Sequence, residues 1–218
     1  MASSLVGQAS IAQNIVSSDS QSVDCTGTDV LVVLIEAEDG GAGNPAVSAI
    51  TYAGAALTLG VSYKQPSSTM TSFIYYKLSP ATGTNTLSIT YSGNTNRSVW
   101  ILRFTGIPSP TVNVTSQTSA TASTSHTHSI TTTVADELVI AGHYGSRPIT
   151  SFSSATMTRA TAHAGNNYGG AAYIVGSHAA GSKSYTFSYG SSGDSVQVAL
   201  SFAPAAGDTG DGSFLALM

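Results

Sequence analysis

The sequence predicts an all-β protein, an antiparallel β-sandwich or jelly roll built from two similar half repeats. Three observations point there. The chain repeats itself: Asp29-Val30-Leu31-Val32-Val33-Leu34-Ile35 has its counterpart in Asp136-Glu137-Leu138-Val139-Ile140-Ala141-Gly142, residues 86–93 in 184–190, and 99–104 in 196–202. Its apolar residues alternate with polar ones or fall in short runs. No window carries a helical period with caps.

Taken in order, strands are expected near 22–25, 30–36, 46–52, 56–63, 71–78, 85–91 and 98–105, and again near 129–134, 137–143, 149–152, 156–163, 171–176, 183–189 and 195–202. Glycine-, proline- and serine-rich turns separate them at Ala53-Gly54, 79–83, Ser92-Gly93-Asn94, Ala179-Ala180-Gly181 and 190–193. Leu87, Ile89 and Tyr91 share one face of their strand, and Thr86, Ser88 and Thr90 the other, as half-buried antiparallel strands require. Residues 30–35 are apolar on both faces and so belong at a sheet centre. Trp100, Leu102 and Phe104 should face one way, with Ile101 and Arg103 facing the other. Phe187, Tyr189, Val196, Val198, Leu200 and Phe202 should build the equivalent core of the second copy.

Residues 106–125 are the widest gap in this pattern. Thr111-Val112-Asn113-Val114-Thr115 alternates like a strand, which favours a single sandwich over two tandem immunoglobulin-like ones. The expected organisation is an N-terminal arm over 1–20, a sandwich over 21–204 with half repeats at about 22–107 and 129–204, and a C-terminal arm over 205–218.

Charged residues make up only 8% of the 218 positions, against about 25% in an ordinary soluble chain, while there are 22 glycines and abundant Ser and Thr. Such a surface suits cover by partners or by copies of itself. Net charge is −4 and no basic stripe exists, so direct nucleic-acid binding is not expected. No run reaches the length of a membrane span, and the N-terminus lacks the basic and apolar regions of a secretory signal. Cys25 is the single cysteine, so no internal disulfide staples the fold. These features point to synthesis in a bacterial-type cytoplasm.

Tyr75-Tyr76-Lys77-Leu78 followed by Pro80 and Gly83, the Ser/Thr strand after it, 99–106 with Ile107-Pro108, 125–135 ahead of Asp136-Glu137-Leu138-Val139, and 196–204 together resemble a repeated pattern of β-sandwich virion proteins of tailed bacteriophages and related bacterial surface modules. The likeness covers about 23–204 and contains no catalytic motif. It implies a virion structural protein: a decoration or cement protein on the capsid exterior, or alternatively a tail or fibre module that binds host surface glycans. The partners implied are further copies of the chain, a trimer being the first expectation, and the major capsid protein. In that setting the arms would tie neighbours together through Leu5, Val6, Ile11, Ile15, Val16, Phe214, Leu215, Leu217 and Met218.

Local chemistry is sparse. His126 and His128 lie two apart, so on a strand both imidazoles share a face and could share a metal, with Asp24, Asp136, Glu137 or His143 as supplements. Structural polar histidines are the competing reading. Glu36, Glu38 and Asp39 before a glycine-rich loop, and Asp208 with Asp211, offer oxygen ligands at spacings that match no calcium loop. Tyr144, Asn166, Asn167 and Tyr168 are candidates for holding a sugar, with Tyr63 beside them. No serine elbow or carboxylate pair supports hydrolysis, so neither an enzyme nor a cofactor is expected.

Overall fold

The structure is a computed structural model, and it describes residues 3–39, 46–107, 111–160 and 168–204. It is all-β, with strands β1 (Ser4–Asp24), β2 (Val30–Asp39), β3 (Val47–Tyr52), β4 (Ala55–Ala56), β5 (Thr58–Lys64), β6 (Met70–Leu78), β7 (Thr84–Thr105), β8 (Thr111–Thr132), β9 (Leu138–Gly145), β10 (Ile149–Ser154), β11 (Thr158–Arg159), β12 (Gly169–Ile174) and β13 (Gly181–Ala203). They form two antiparallel sheets. The first runs β4-β3-β7-β2-β6-β5 with β1 on the other side of β7, and the second runs β10-β13-β9-β12-β11 with β8 on the other side of β13.

The two sheets share one plan. A long strand, β7 or β13, is flanked on one side by a second long strand, β1 or β8. On its other side it pairs first with β3 or β10 and then with β2 or β9. Register makes the equivalence residue by residue. Val30, Val32 and Leu34 face Phe104, Leu102 and Trp100, just as Leu138, Ile140 and Gly142 face Phe202, Leu200 and Val198.

Each long strand folds over on itself. Leu87, Ile89 and Tyr91 from one half of β7 and Val99 and Ile101 from the other all enter the same core, with Leu31, Val33, Ile35 and Tyr52. A straight strand cannot do this. The bend falls around Ser92-Gly93-Asn94, opposite a slip in the β1 register between Val16 and Ser18. In the second sheet two of the three slips along β13 fall between Ser188 and Ser195, and Tyr185, Phe187 and Tyr189 close over Val139, Ala141 and Ala199. Between the two sheets lies a third core, in which Val30, Val32, Leu34, Trp100, Leu102 and Phe104 meet Leu138, Ile140, Val198, Leu200 and Phe202. Each of these large side chains contributes roughly 1.5–3 kcal/mol by leaving water. Gly60, Gly142 and Gly169 permit the close approach: a Cβ on Gly60 would stand 2.7 Å from Leu200 Cδ2, and one on Gly142 2.5 Å from Glu36 Oε1.

Three sequence expectations need correction. Residues 4–20 are not an arm but the greater part of β1, hydrogen-bonded along β7 as β8 is along β13. Leu5, Ile11 and Val16 accordingly pack on the cores of their own chain, whereas Val6 and Ile15 stay exposed at 41% and 58%. The repeat units are therefore longer than 22–107 and 129–204, spanning 4–105 and 111–203. Turns expected at 92–94 and 190–193 are bends inside single strands of 22 and 23 residues. Phe214, Leu215, Leu217 and Met218 lie outside the described residues, as does the arm over 205–218.

Candidate functional site

Buried polar side chains gather in several places, and two of these hold candidate site residues. One is the end of the inter-sheet core where β2 and β6 meet β9 and β12. Glu36 continues the inward row Val30, Val32, Leu34 and is fully buried. Ser72 Oγ donates to its Oε1 at 2.9 Å, while Oε2 has no hydrogen-bond partner among the described residues. Burial drives the Glu36 carboxyl well above the usual carboxylate range, which favours its protonated form. Next to it Tyr144, Met70 and Val196 form a small cluster against which Tyr63 and Tyr168 pack, and the Tyr144 hydroxyl donates to Glu38 Oε2 at 3.4 Å.

This placement corrects the sugar-platform expectation for Tyr144. Its ring is 1% exposed and cannot stack on a ligand. Burial raises its hydroxyl pKa, with the Glu38 carboxylate adding to the effect. Tyr168 is half-buried, and its carbonyl accepts from Gly145 N–H at 3.0 Å. Asn166 and Asn167 lie outside the described residues, as do Asp208, Asp211 and the glycines at 40–43.

The second gathering is inside the second half repeat. His126 and His128 do share a face of β8, as the spacing predicts, and that face is inward. His126 Nδ1 pairs with Ser195 Oγ at 2.8 Å, and His128 Nδ1 with the Tyr185 hydroxyl at 2.9 Å and its Nε2 with Ser116 Oγ at 2.5 Å. His143, fully buried, lies 6.4 Å from His126 between ring centroids and stacks on Phe187 at 4.5 Å. The Gln197 amide donates to His126 O at 3.0 Å and to His143 Nδ1 at 3.2 Å, which leaves His143 Nε2–H to donate to the Tyr189 hydroxyl at 3.1 Å. Burial pulls His126 and His128 down to about 4, and His143 well below its ordinary value. These imidazoles are neutral members of a hydrogen-bonded core. The fold brings His143 to His126 but leaves Asp24 and Asp136 elsewhere, and among the described residues no group of three or more His, Cys, Asp or Glu side chains is placed to hold a metal ion.

Glu137 also turns inward, where it fixes a turn. It accepts from the backbone N–H of Thr133 and Val134 and from Asn113; burial raises its pKa, but the Ser201 hydroxyl together with these bonds outweighs it and lowers the pKa. Arg97 is buried with Asp19 in an ion pair that also takes in the Tyr91 hydroxyl. Sequence reading missed Arg97, Asp19 and Gln197. Asp19 sits in a segment with no apolar period, and nothing in the order of residues places it across from Arg97.

Charge is thus drawn off an already sparsely charged surface, since Glu36, Glu137, Arg97 and Lys183 are all buried. What the exterior retains is a few scattered charges, among them Asp24, Lys64 and Arg147, with many hydroxyls and open edges. β8 runs 22 residues without Asp, Glu, Lys, Arg or Pro and pairs only with β13 among the described residues, and β1 pairs only with β7. Comparisons with protein-family models, with curated proteins and with solved structures returned no match for this chain.

Proposed function

We propose that the chain is a bacteriophage virion structural protein, a decoration or cement protein on the capsid exterior that works as an oligomer. The observation that carries this is the long uncharged edge of β8. Proteins that live alone in solution protect such edges with lysine, proline or inward charges, because open N–H and C=O groups template pairing with another chain. Here 22 residues of Thr, Ser, Ala, Gln and other types carry no Lys, Arg, Asp, Glu or Pro, and among the described residues side chains of the same chain bond its backbone at Ala120 O, from Gln65, and at Ala122 N–H, through Asp194. The resemblance of the strand-and-turn pattern to tailed-phage sandwich proteins supplies the setting.

The mechanism is mechanical. Two folded-over sheets make a rigid body, and uncharged edges seat against neighbouring subunits, where repetition over a shell turns weak contacts into lasting ones. The N-terminal strand belongs to the body itself, with Val6 and Ile15 as its exposed apolar contacts. Thr115→Lys with Gln117→Lys tests this, since both side chains are exposed on β8. Occupancy on purified virions, measured by mass spectrometry, is expected to fall severalfold while the isolated protein melts as before. Unchanged occupancy, or absence of the wild-type chain from virions, overturns the reading.

A further inference from the structure

The two halves meet through equivalent faces. Register equates Tyr76 with Tyr173, which lie beside Val32 and Ile140, and Phe104 with Phe202, which lie beside Val30 and Leu138. Across the inter-sheet core, Tyr76 of the first half packs edge-on against Phe202 of the second with ring centroids 5.2 Å apart, and Tyr173 of the second packs edge-on against Phe104 of the first at 5.8 Å. The contact is reciprocal. Leu34 and Gly142 are equivalent to each other and also meet, a Cβ on Gly142 falling 3.2 Å from Leu34 Cδ2, so an approximate two-fold axis passes beside them. Paired contacts of this kind are the signature of an isologous dimer interface. Here that interface lies inside one chain.

Each half is also self-contained. Every strand pairing in the first sheet lies within 4–105 and every pairing in the second within 111–203. Each half has a core of its own, with Leu31, Leu87 and Ile101 in one and Val139, Phe187 and Ala199 in the other. What joins them is the shared inter-sheet core, with ties at its border such as the bond from Gln65 Nε2 to Thr121 Oγ1 at 3.2 Å and from Gly176 N–H to Ser3 O at 2.9 Å. Between the last strand of one half and the first of the other the sequence leaves only the five residues 106–110, which reach at most about 18 Å. Positions 108 and 110 are both proline, a residue that fixes its own φ and restricts the residue before it to extended backbone.

We propose that the chain exchanges halves with a second copy, the first half of each packing on the second half of the other through this same inter-sheet core. No new contact is required, because each face is already matched to the half it meets. The swapped pair differs from the closed chain only in the path of 106–110 and in the entropy of joining two molecules. A short flexible tether holds its two ends at an effective concentration in the millimolar range, and a stiff one lowers that figure, so exchange sets in as the chain concentration approaches it. Halves part only when the shared core opens, which makes a swapped pair slow to revert on dilution. The proposal concerns the purified chain and stands or falls apart from the capsid reading.

The test refolds the full chain from urea at about 1 µM and about 1 mM and reads its mass by size exclusion with light scattering. Monomer is expected from the dilute sample and a persistent dimer from the concentrated one. A pair of variants, both also carrying Cys25→Ser, identifies the interface. Gly60→Cys sets a Cβ 2.7 Å from Leu200 Cδ2, a clash that Leu200→Cys in the second copy removes while bringing the two thiols into bonding range. Refolded together and oxidised, the two variants are expected to give at least about tenfold more covalent dimer than either gives alone. Insertion of a flexible Gly/Ser segment between Ser109 and Pro110 should lower the wild-type dimer fraction severalfold. Monomer at both concentrations overturns the proposal, and that measurement needs no cysteine variant to fold. A dimer without the mixed cross-link, or one that the insertion leaves unchanged, also overturns it and assigns association to the outer edges instead.

Discussion

The two half repeats solve one structural problem with opposite electrostatics. Where the long strands bend, register equates Asp19 with His126, Tyr91 with Tyr189, Arg97 with Ser195, Ile35 with His143 and Val99 with Gln197. The first half closes this corner with a buried Arg97–Asp19 ion pair, side chains 3% and 7% exposed, and a Tyr91 hydroxyl that donates to Asp19 at 2.7 Å. The second half closes it with neutral imidazole, hydroxyl and amide groups. All five histidines of the chain lie at or after residue 126. Backbone plan, then, does not dictate how a buried polar corner is satisfied, and the choice decides which half is sensitive to what.

The largest difference should appear on truncation. Arg97→Ala leaves the Asp19 carboxylate buried without its partner and is expected to cost about 3–5 kcal/mol. At the equivalent position Ser195→Ala removes one hydroxyl from a neutral network, with an expected cost of about 1 kcal/mol. Urea midpoints of the two variants measure both. Similar losses would mean that the corners are not electrostatically distinct.

A smaller effect of opposite sign is expected at Glu36, which lies between the sheets in the inward row of β2. Its folded pKa is raised, so the native state binds the proton more tightly than the unfolded chain. The stability this adds is fully present below about 4.5, its ordinary value, and is lost as pH climbs toward the folded pKa. Glu36→Gln keeps an acceptor for Ser72 and has nothing to ionise. It should stabilise the protein at pH 8 by about 1 kcal/mol and by less at pH 4.5, again read from urea midpoints. A variant less stable than wild type at pH 8 would show that the acid form is not what the site holds.

Much of this fold was legible because burial writes a period into the sequence. Leu87-Ile89-Tyr91 and Trp100-Leu102-Phe104 sit on the faces their alternation assigns, and the inward run of β2 is a sheet centre. β1 and the first half of β8 were read poorly for the converse reason. Over 4–22 of β1 and 116–125 of β8 the described side chains are exposed or only half-buried on both faces, so Ser, Thr, Gln and Asn carry no period there, and these stretches are strands because β7 and β13 hold their backbones. Ser92-Gly93-Asn94 reads as a chain reversal and is instead a fold within one strand, a distinction that depends on pairing with β1. The candidate site was less legible still. His126 and His128 were found by spacing, but whether two imidazoles meet a metal or a hydroxyl depends on Ser195, Tyr185 and Ser116, which are remote in sequence or unremarkable within it. Tyr144 looked like a platform and proved to be core.

Acid separates the two halves most directly. His126, His128 and His143 have folded pKa values depressed by burial, so the unfolded chain binds more protons; their contribution is fully present above about 6.5 and is lost as pH falls, toward about 4 for His126 and His128. Amide hydrogen exchange resolved along the chain at pH 7 and pH 4.5, corrected for intrinsic rates, is the decisive measurement. The expected result is loss of protection first in β8, β10 and the first half of β13, while the corresponding parts of β1, β3 and β7 stay protected. Loss from both halves together, or from β1 and β7 first, would contradict the claim that one doubled backbone carries two electrostatically different cores.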